Sequence, residues 1–309
     1  MGIAARWLAA RSGGVRIEDG VAEPCRGRRI IGMVLMPFFT AGCAMAPLDE
    51  GGSLVSYSDL TQADGLLAKS KMRISKEDMH ATKTVRIVPT VFAAAASHDT
   101  ISEDQRKLVA NAVDRSLCAG LSERFQVVDA AETADLTVHA VVTNMAATNE
   151  TAVAATKIAS VAKSFLLPGI PVPTPRLPIG LGSLSMEAEA RGPGGGQEAA
   201  MVWGRGANFL SGSARISSSG DAYELASAFG DDFSKLLVTG ENPFKNLSGP
   251  PSMERLQSLA GGAPKYPACA VFGREQGVGG LLSGAVGLPP EWTDKGAGGS
   301  PPVTQAAAQ

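Results

Sequence analysis

Few residues of this 309-residue chain have the types and spacing that catalysis or metal binding requires. The three histidines, His80, His98 and His139, are never four residues apart, so no pair can ligate a metal from one helical turn. A Gly-x-Ser-x-Gly nucleophile turn and a Gly-Lys-Ser/Thr phosphate loop are both absent from the sequence. The sequence therefore predicts no metal, no cofactor and no catalytic residue.

Two pairs of neighbouring carboxylates remain as candidates for acid–base work. Asp231 and Asp232 are adjacent in a helical pattern, where consecutive side chains do not face each other. Glu187 and Glu189 alternate along a predicted strand and point to the same side. Because charged side chains are seldom buried, we expect both glutamates to face solvent.

A ten-residue, largely apolar run at 30–39 precedes the second of four cysteines. It is too short for a bilayer span of about 20 residues, but it falls within the roughly 7–15 residues of a signal-peptide core. Positive charge precedes the run at Arg26, Arg28 and Arg29. Thr-Ala-Gly-Cys follows it, ending at Cys43. This order resembles the lipobox of bacterial lipoproteins, which implies cleavage between Gly42 and Cys43 and a diacylglycerol on the Cys43 sulfur.

The lipobox resemblance also implies a cellular localisation. Ala44 stands where Asp would favour retention in the inner membrane, so the chain is expected at the outer membrane, on the periplasmic face, with the membrane as a partner through the lipid on Cys43. Residues 1–42 are then a leader that includes a signal peptide. The acidic residues within 1–25 do not suit a signal n-region, and a start codon assigned too far upstream is the simplest explanation of that stretch. The alternatives are ordinary secretory cleavage after Ala46, which Pro47 disfavours, and a buried helix with an incidental cysteine.

Charge and cysteine content narrow the choice of partners. Residues 1–42 carry six arginines and three carboxylates, so their removal takes the formal net charge from -2 to -5. Because an acidic chain lacks the basic stripe that neutralises phosphates, nucleic acid is not an expected partner.

The two cysteines beyond Cys25 and Cys43 have two interpretations. Cys118 and Cys269 either form a disulfide, or Cys118 is a small buried side chain and Cys269 an incidental thiol. The second interpretation is favoured, because Cys269 lies in a Gly/Pro-rich tail.

Strand and helix patterns are concentrated in residues 84–240. Ser102 and Gln105 form a capping box before an amphipathic helix, and a second helix ends at Gly240. A weaker helical pattern covers 151–167. Alternating apolar residues predict strands at TVRIVPTVF, QVVD, ADLTVHAVVTNM, SLSMEAEAR and EAAMVWGRGANF. We therefore predict an α+β two-layer sandwich with a largely antiparallel sheet of about four to five strands and two main helices on one face.

The flanking regions show weaker patterns. Residues 43–83 are expected to be a lipid-anchored tether, and the Gly/Pro/Ala-rich residues 241–309 to be a mostly disordered tail. An apolar, proline-rich loop lies between the 151–167 helix and the SLSMEAEAR strand. It either packs over the domain, which the cost of exposing apolar chain favours, or serves as a contact surface. The candidate contact residues in this loop and the hairpin are Leu167, Ile170, Val172, Leu177, Ile179 and Trp203.

Together these segments resemble a family of bacterial lipoproteins known only as a domain of unknown function. The resembling pieces are LVSYSDL, VRIVP, the SEDQ helix start, ADLTVHAVVTNM, EAEARGPGGGQEAAMVWGR and AYELASAFGDDFSKLL. More distantly, the order of elements is similar to small periplasmic α+β domains of envelope assembly lipoproteins, including the curli secretion channel subunit, peptidoglycan synthase activators and the amino-terminal domain of the Tol translocation protein. That analogy of fold implies a binding or assembly module.

Our first hypothesis is a non-catalytic outer-membrane lipoprotein whose domain binds an envelope protein or a second copy of itself. The alternative is a self-assembling secretion or pore subunit, which would need membrane strands of about 9–11 alternating residues. Residues 151–182 do not alternate, which counts against that alternative. A cell-envelope enzyme acting on peptidoglycan or lipid is the third hypothesis, and the missing catalytic constellations count against it.

Overall fold

A computed structural model of the chain describes residues 46–96, 100–166, 176–208, 215–245, 252–294 and 296. Within them an open, mixed sheet of eight strands packs with several helices. The strands are β1 Thr61–Gln62, β2 Lys69–Ile74, β3 Thr84–Ile87, β4 Val91–Phe92, β5 Gln126–Val127, β6 Leu136–Ala146, β7 Ser183–Arg191 and β8 Gln197–Gly206. The α-helices are α1 Lys76–Ala81, α2 Glu103–Leu121, α3 Glu150–Leu166, α4 Gly220–Thr239, α5 Met253–Leu259, α6 Gly277–Val286 and α7 Pro290–Thr293.

The sheet order is β1-β2-β8-β7-β6-β3-β5, with β4 also paired to β6. The pairs from β1 to β6 are antiparallel, whereas β3 and β4 run parallel to β6 and β5 runs parallel to β3. The α+β class is therefore confirmed, but the prediction of four to five strands is too small. Part of the difference is β2, which lies within the expected tether and pairs with β8 over six residues. Its sequence KSKMRI alternates charged with uncharged residues, but Met72 and Ile74 are the only large apolar side chains in it, so the strand signal is short.

Local signals place the two main helices. The Ser102 hydroxyl accepts the Gln105 backbone N–H at 3.2 Å, and the Gln105 side chain accepts the Ser102 N–H at 2.9 Å, which confirms the capping box at the start of α2. Gly240 ends α4 with φ +66°, a left-handed conformation that glycine adopts without strain. A Cβ added to Gly120 of α2 would lie 2.5 Å from Ser234 Cβ of α4, so this glycine allows the two helices to pack closely.

The core lies between these helices and one face of the sheet. As predicted, α4 buries Leu225, Phe229, Phe233, Leu236 and Leu237. The inward residues Leu184, Met186 and Ala188 of β7 are also buried, as their alternation predicts. Nine residues of β7 span roughly 30 Å, so its two ends are well separated. We name the two ends of the sheet after β7, as the Ser183 end and the Arg191 end.

Residues 252–294 differ from the expected disordered tail, because they contain α5, α6, α7 and a short 3-10 helix at Pro267–Phe272. Ala268, Cys269 and Phe272 join the hydrophobic core. These helices are short, so single side chains anchor them and no long apolar period shows in the sequence. In the described part of the chain, no helix combines the length and apolarity needed to cross a membrane.

Candidate functional site

The chain that follows the predicted lipidation site lies on the sheet. Gly42 and Cys43 are outside the described residues, which begin at Ala46. Residues 46–57, which we call the strap, follow β7 on the face opposite the helices. The Ser185 hydroxyl donates to the Pro47 carbonyl oxygen at 2.7 Å, and a Cβ on Gly204 of β8 would lie 3.1 Å from the same oxygen. The strap therefore contacts the sheet within four residues of Cys43.

Glu187 is the central acceptor of the strap and is fully buried. Its carboxylate accepts the Gly51 N–H at 2.6 Å, the Ser53 N–H at 3.1 Å and the Tyr57 hydroxyl at 2.8 Å, and the Ser53 hydroxyl also donates to it. Burial and the hydrogen bond to Glu187 raise the pKa of Tyr57. Hydrogen bonds to an ionised acceptor are stronger than those between neutral groups, so this cluster holds the strap in one position.

Glu189 extends the same attachment toward the Arg191 end. It accepts the Val55 N–H at 2.8 Å and the Gln197 side-chain amide at 2.6 Å, and it is paired with Arg191. The prediction that Glu187 and Glu189 face solvent is wrong, because the strap covers their side of the sheet. Alternation correctly placed them on one face, but only the distant strap determines that the face is covered.

An apolar contact completes the strap. Leu54 is 8% exposed and packs against Ala200 and Val202 on the outer face of β8, with Leu48, Tyr57 and Leu60 partly buried around it. The sequence signal for this contact was the LVSY stretch, a short apolar patch within an otherwise polar segment. The patch marks a segment that docks on the sheet, which differs from the free tether expected there.

The candidate contact residues separate into three groups. Leu167, Ile170 and Val172 lie outside the described residues. Leu177 and Ile179 are 45% and 66% exposed, so their side chains are accessible, and their role in binding stays a prediction. Trp203 is completely buried, so its assignment to a contact surface is wrong.

Trp203 instead joins the core between β8 and α4. Its ring meets Phe229 edge-on with centroids 5.5 Å apart, and its indole N–H donates to Asp232 at 2.9 Å. Burial raises the pKa of Asp232 to about 6, against the opposing effect of the Trp203 hydrogen bond. Strand alternation explains the position of Trp203, because Met201 on the same side of β8 is also buried.

The adjacent carboxylates of α4 do not act together. Asp231 forms an ion pair with Arg255 at 2.5 Å and accepts the Ser116 hydroxyl at 3.1 Å, whereas Asp232 accepts from Trp203. Burial raises the pKa of Asp231, and the positive charge of Arg255 opposes that shift. Each carboxylate thus has its own structural partner, as expected for neighbours on a helix.

The histidines are also separate. His139 lies on β6, where partial burial and the positive charge of Arg191 lower its pKa. His80 is exposed at the end of α1, and His98 lies outside the described residues. No group of three or more His, Cys, Asp or Glu side chains in the described ranges is arranged to hold a metal ion.

Cys118 and Cys269 form a disulfide with their Cα atoms 5.9 Å apart. The favoured interpretation of two unpaired cysteines is therefore wrong. The bond joins α2 to the 3-10 helix at 267–272. The Gly/Pro-rich sequence around Cys269 predicts irregular chain, so it gives no signal for this pairing. A cavity of about 190 Å³ adjoins the disulfide, with Arg115, Lys265 and Glu275 among its lining residues.

Asp114 is a buried carboxyl that the sequence did not single out. It lies on α2 and accepts both the Thr90 backbone N–H at 3.0 Å and the Thr90 hydroxyl at 2.6 Å. Burial raises its pKa to about 7, although the Thr90 hydrogen bonds act in the opposite direction. Its visible role is to hold the segment between β3 and β4 against α2.

Comparisons with known proteins identify a family but no activity. Residues 49–233 match the family described as "Protein of unknown function (DUF3313)". No curated protein matches the chain. Among solved structures, a PelC dodecamer from Paraburkholderia phytofirmans is 9% identical with a TM-score of 0.32, and the match covers 56% of this chain and 98% of that one. A DUF4136 family protein from Bacteroides thetaiotaomicron is 11% identical with a TM-score of 0.28, covering 56% and 97%. Similarities at this level indicate neither a shared activity nor a shared assembly.

Proposed function

We propose that this chain, which belongs to the DUF3313 family of proteins of unknown function, is a lipoprotein anchored through Cys43 in the outer membrane. Its domain faces the periplasm and acts as a non-catalytic binding or assembly module. The observation that carries the proposal is the strap. Its hydrogen bonds to Glu187 and Glu189 make the segment next to Cys43 part of the fold, as suits a domain attached to its membrane without a free linker.

The length of chain between Cys43 and the strap limits how far the domain can stand from the lipid. Cys43 is three residues before Ala46, and three extended residues span at most about 11 Å. A diacylglycerol with an additional amide-linked chain supplies the multiple acyl groups that stable anchoring requires. The acylated Cys43 would hold the domain at the membrane surface.

Metabolic labelling with radioactive palmitate tests the anchor. We expect the wild-type chain and the Cys25→Ala variant to incorporate label, because Cys25 lies in the leader, while the Cys43→Ala variant should lose it. Cys25→Ala is the matched control, since it removes a cysteine on the other side of the apolar run. Retention of the label by Cys43→Ala would contradict the proposed anchor.

The binding role rests on the exposed side chains of Leu177 and Ile179, which follow the predicted contact residues Leu167, Ile170 and Val172 in the sequence. A photo-crosslinking amino acid at position 179 should capture a specific envelope protein in cells. The same group at Glu77, an exposed residue of α1, is the control and should capture nothing specific. Capture of a second copy would support the self-assembly alternative, and identical products from both positions would remove Ile179 from the proposed surface.

A further inference from the structure

We infer that exposed apolar side chains of α3 and α6 form a surface that rests on the lipid bilayer holding the Cys43 anchor. This inference rests on the proposed anchoring and adds an orientation: the Ser183 end of the sheet faces the membrane. We call this set the apolar surface, and it comprises Ile158, Val161, Leu281, Leu282 and Val286.

The exposed face of α6 is the strongest element of the apolar surface. The sequence of α6, GVGGLLSGAV, has no charged residue. Leu281, Leu282 and Val286 are each 64% exposed. Leu282 and Val286 are four residues apart and lie on one side of the helix, and Leu281 lies about 100° from Leu282 at the edge of the same exposed face. Large apolar side chains grouped in this way are costly in water, so such a group marks a surface that contacts something apolar.

The helix α3 continues this surface. Ile158 is 71% exposed and Val161 is 57% exposed. A hydrogen bond joins α3 to α6, because the Lys157 ammonium of α3 donates to the Ala285 carbonyl oxygen at 2.8 Å. The helix α3 therefore adjoins the carboxyl end of α6.

The apolar surface and the start of the strap lie at the same end of the sheet. Strand β6 finishes at Ala146 and is followed directly by α3, while Ala146 is paired with Ser183. The segment before α4 holds α6 there, since the Ile216 N–H donates to the Gly287 carbonyl oxygen at 2.9 Å. Pro47 is bonded to Ser185, only two residues along β7 from Ser183. Cys43 is thus confined to within about 11 Å of the start of the strap, near this end.

Three arguments favour a bilayer as the occupant. The lipid on Cys43 would already hold this end of the domain at the membrane. The apolar surface would therefore meet a high effective concentration of lipid and would bind it even with a low affinity of its own. The uncharged face of α6 presents only aliphatic groups and glycine, which suits insertion at the boundary of the acyl chains. Apolar area that is too small to bind a membrane alone becomes effective as a second signal beside a lipid anchor.

Quenching by brominated lipids tests the orientation. The lipidated full chain carrying Trp292→Phe would be placed in vesicles of phosphatidylethanolamine and phosphatidylglycerol with brominated acyl chains. Leu282→Trp introduces a probe in the apolar surface, and Leu281→Trp provides a second. Met253→Trp is the matched control because Met253 is 75% exposed. The preceding residue, Ser252, caps α5 and donates a hydrogen bond to Glu123, which follows the carboxyl end of α2. Buried Trp203 supplies the same background emission in each variant.

We expect the probes at 282 and 281 to lose most of their emission in the brominated vesicles, while the probe at 253 keeps its emission. Equal emission at all three positions in a preparation whose mass includes the acyl groups would overturn the orientation and leave the anchor intact. A mass without acyl groups would overturn the anchor and the orientation with it. A dimer in detergent by light scattering, with the 282 probe shielded and no lipid quenching, would assign the surface to a second copy and also overturn the inference.

Discussion

Replacing Glu187 by glutamine would test how firmly the strap is held. Glutamine keeps one acceptor oxygen but presents an amide N–H₂ to donors from Gly51, Ser53 and Tyr57 that now meet a carboxylate. A hydrogen bond to a charged group contributes about 1.5–3 kcal/mol, and a donor left unsatisfied in a buried site costs about 1–3 kcal/mol. Because part of the strap can rehydrate when released, we expect Glu187→Gln to lower the free energy of unfolding by roughly 2–4 kcal/mol.

Two measurements would follow this change. Urea unfolding gives the free energy, and hydrogen exchange with mass spectrometry reports the backbone amides of residues 46–57. Those amides should lose protection in Glu187→Gln. The control is Glu77→Gln on the exposed surface of α1, which should stay within about 0.5 kcal/mol of the wild type. If Glu187→Gln unfolded like the control and its strap amides stayed protected, the strap would not depend on Glu187.

Three further predictions concern the core. Burial raises the pKa of Asp114 from 3.8 to about 7 in the folded protein, so the unfolded chain releases this proton at lower pH. The free energy of unfolding should therefore fall by up to about 4 kcal/mol as pH rises between these two values. Asp114→Asn should flatten this pH dependence in urea titrations, and an unchanged slope would contradict the assignment. Cys269→Ser opens a bond that spans 151 residues, so it should cost about 2–5 kcal/mol. It should also speed trypsin cleavage after Lys265 and Arg274, which flank the 3-10 helix, whereas equal trypsin resistance would refute the anchoring role of the disulfide. Trp203→Phe should cost about 2–4 kcal/mol in thermal or urea unfolding because Asp232 loses its buried donor; Trp292→Phe, at a residue 68% exposed, should cost almost nothing, and equal losses would contradict the burial of Trp203.

The features predicted correctly from the sequence depend on neighbouring residues. The Ser102 capping box, the Gly240 helix end and the alternation of β7 each require only a few consecutive side chains. The missed features depend on partners far along the chain. Strand β2 alternates locally, but its pairing with β8 does not follow from that period, and Cys118 bonds a cysteine 151 residues away. One sequence does not reveal partners at such distances.

The candidate site shows the same division. Alternation placed Glu187 and Glu189 on one face of β7, but their burial depends on the strap, which is more than 130 residues away in sequence. Trp203 is predicted on a contact surface as part of its hairpin, whereas the alternation of β8 places it in the core. In contrast, Leu177 and Ile179 come from a proline-rich apolar segment and are accessible. Residue type alone therefore did not separate core from surface.

The intact mass of the protein extracted from membranes, compared with that of Cys43→Ala, tests the lipid anchor on Cys43. We predict a mass equal to a chain starting at Cys43 plus its acyl groups, and loss of that species in the variant. A chain without acyl groups that retains residues 1–42 would contradict the anchor and the membrane-facing orientation derived from it.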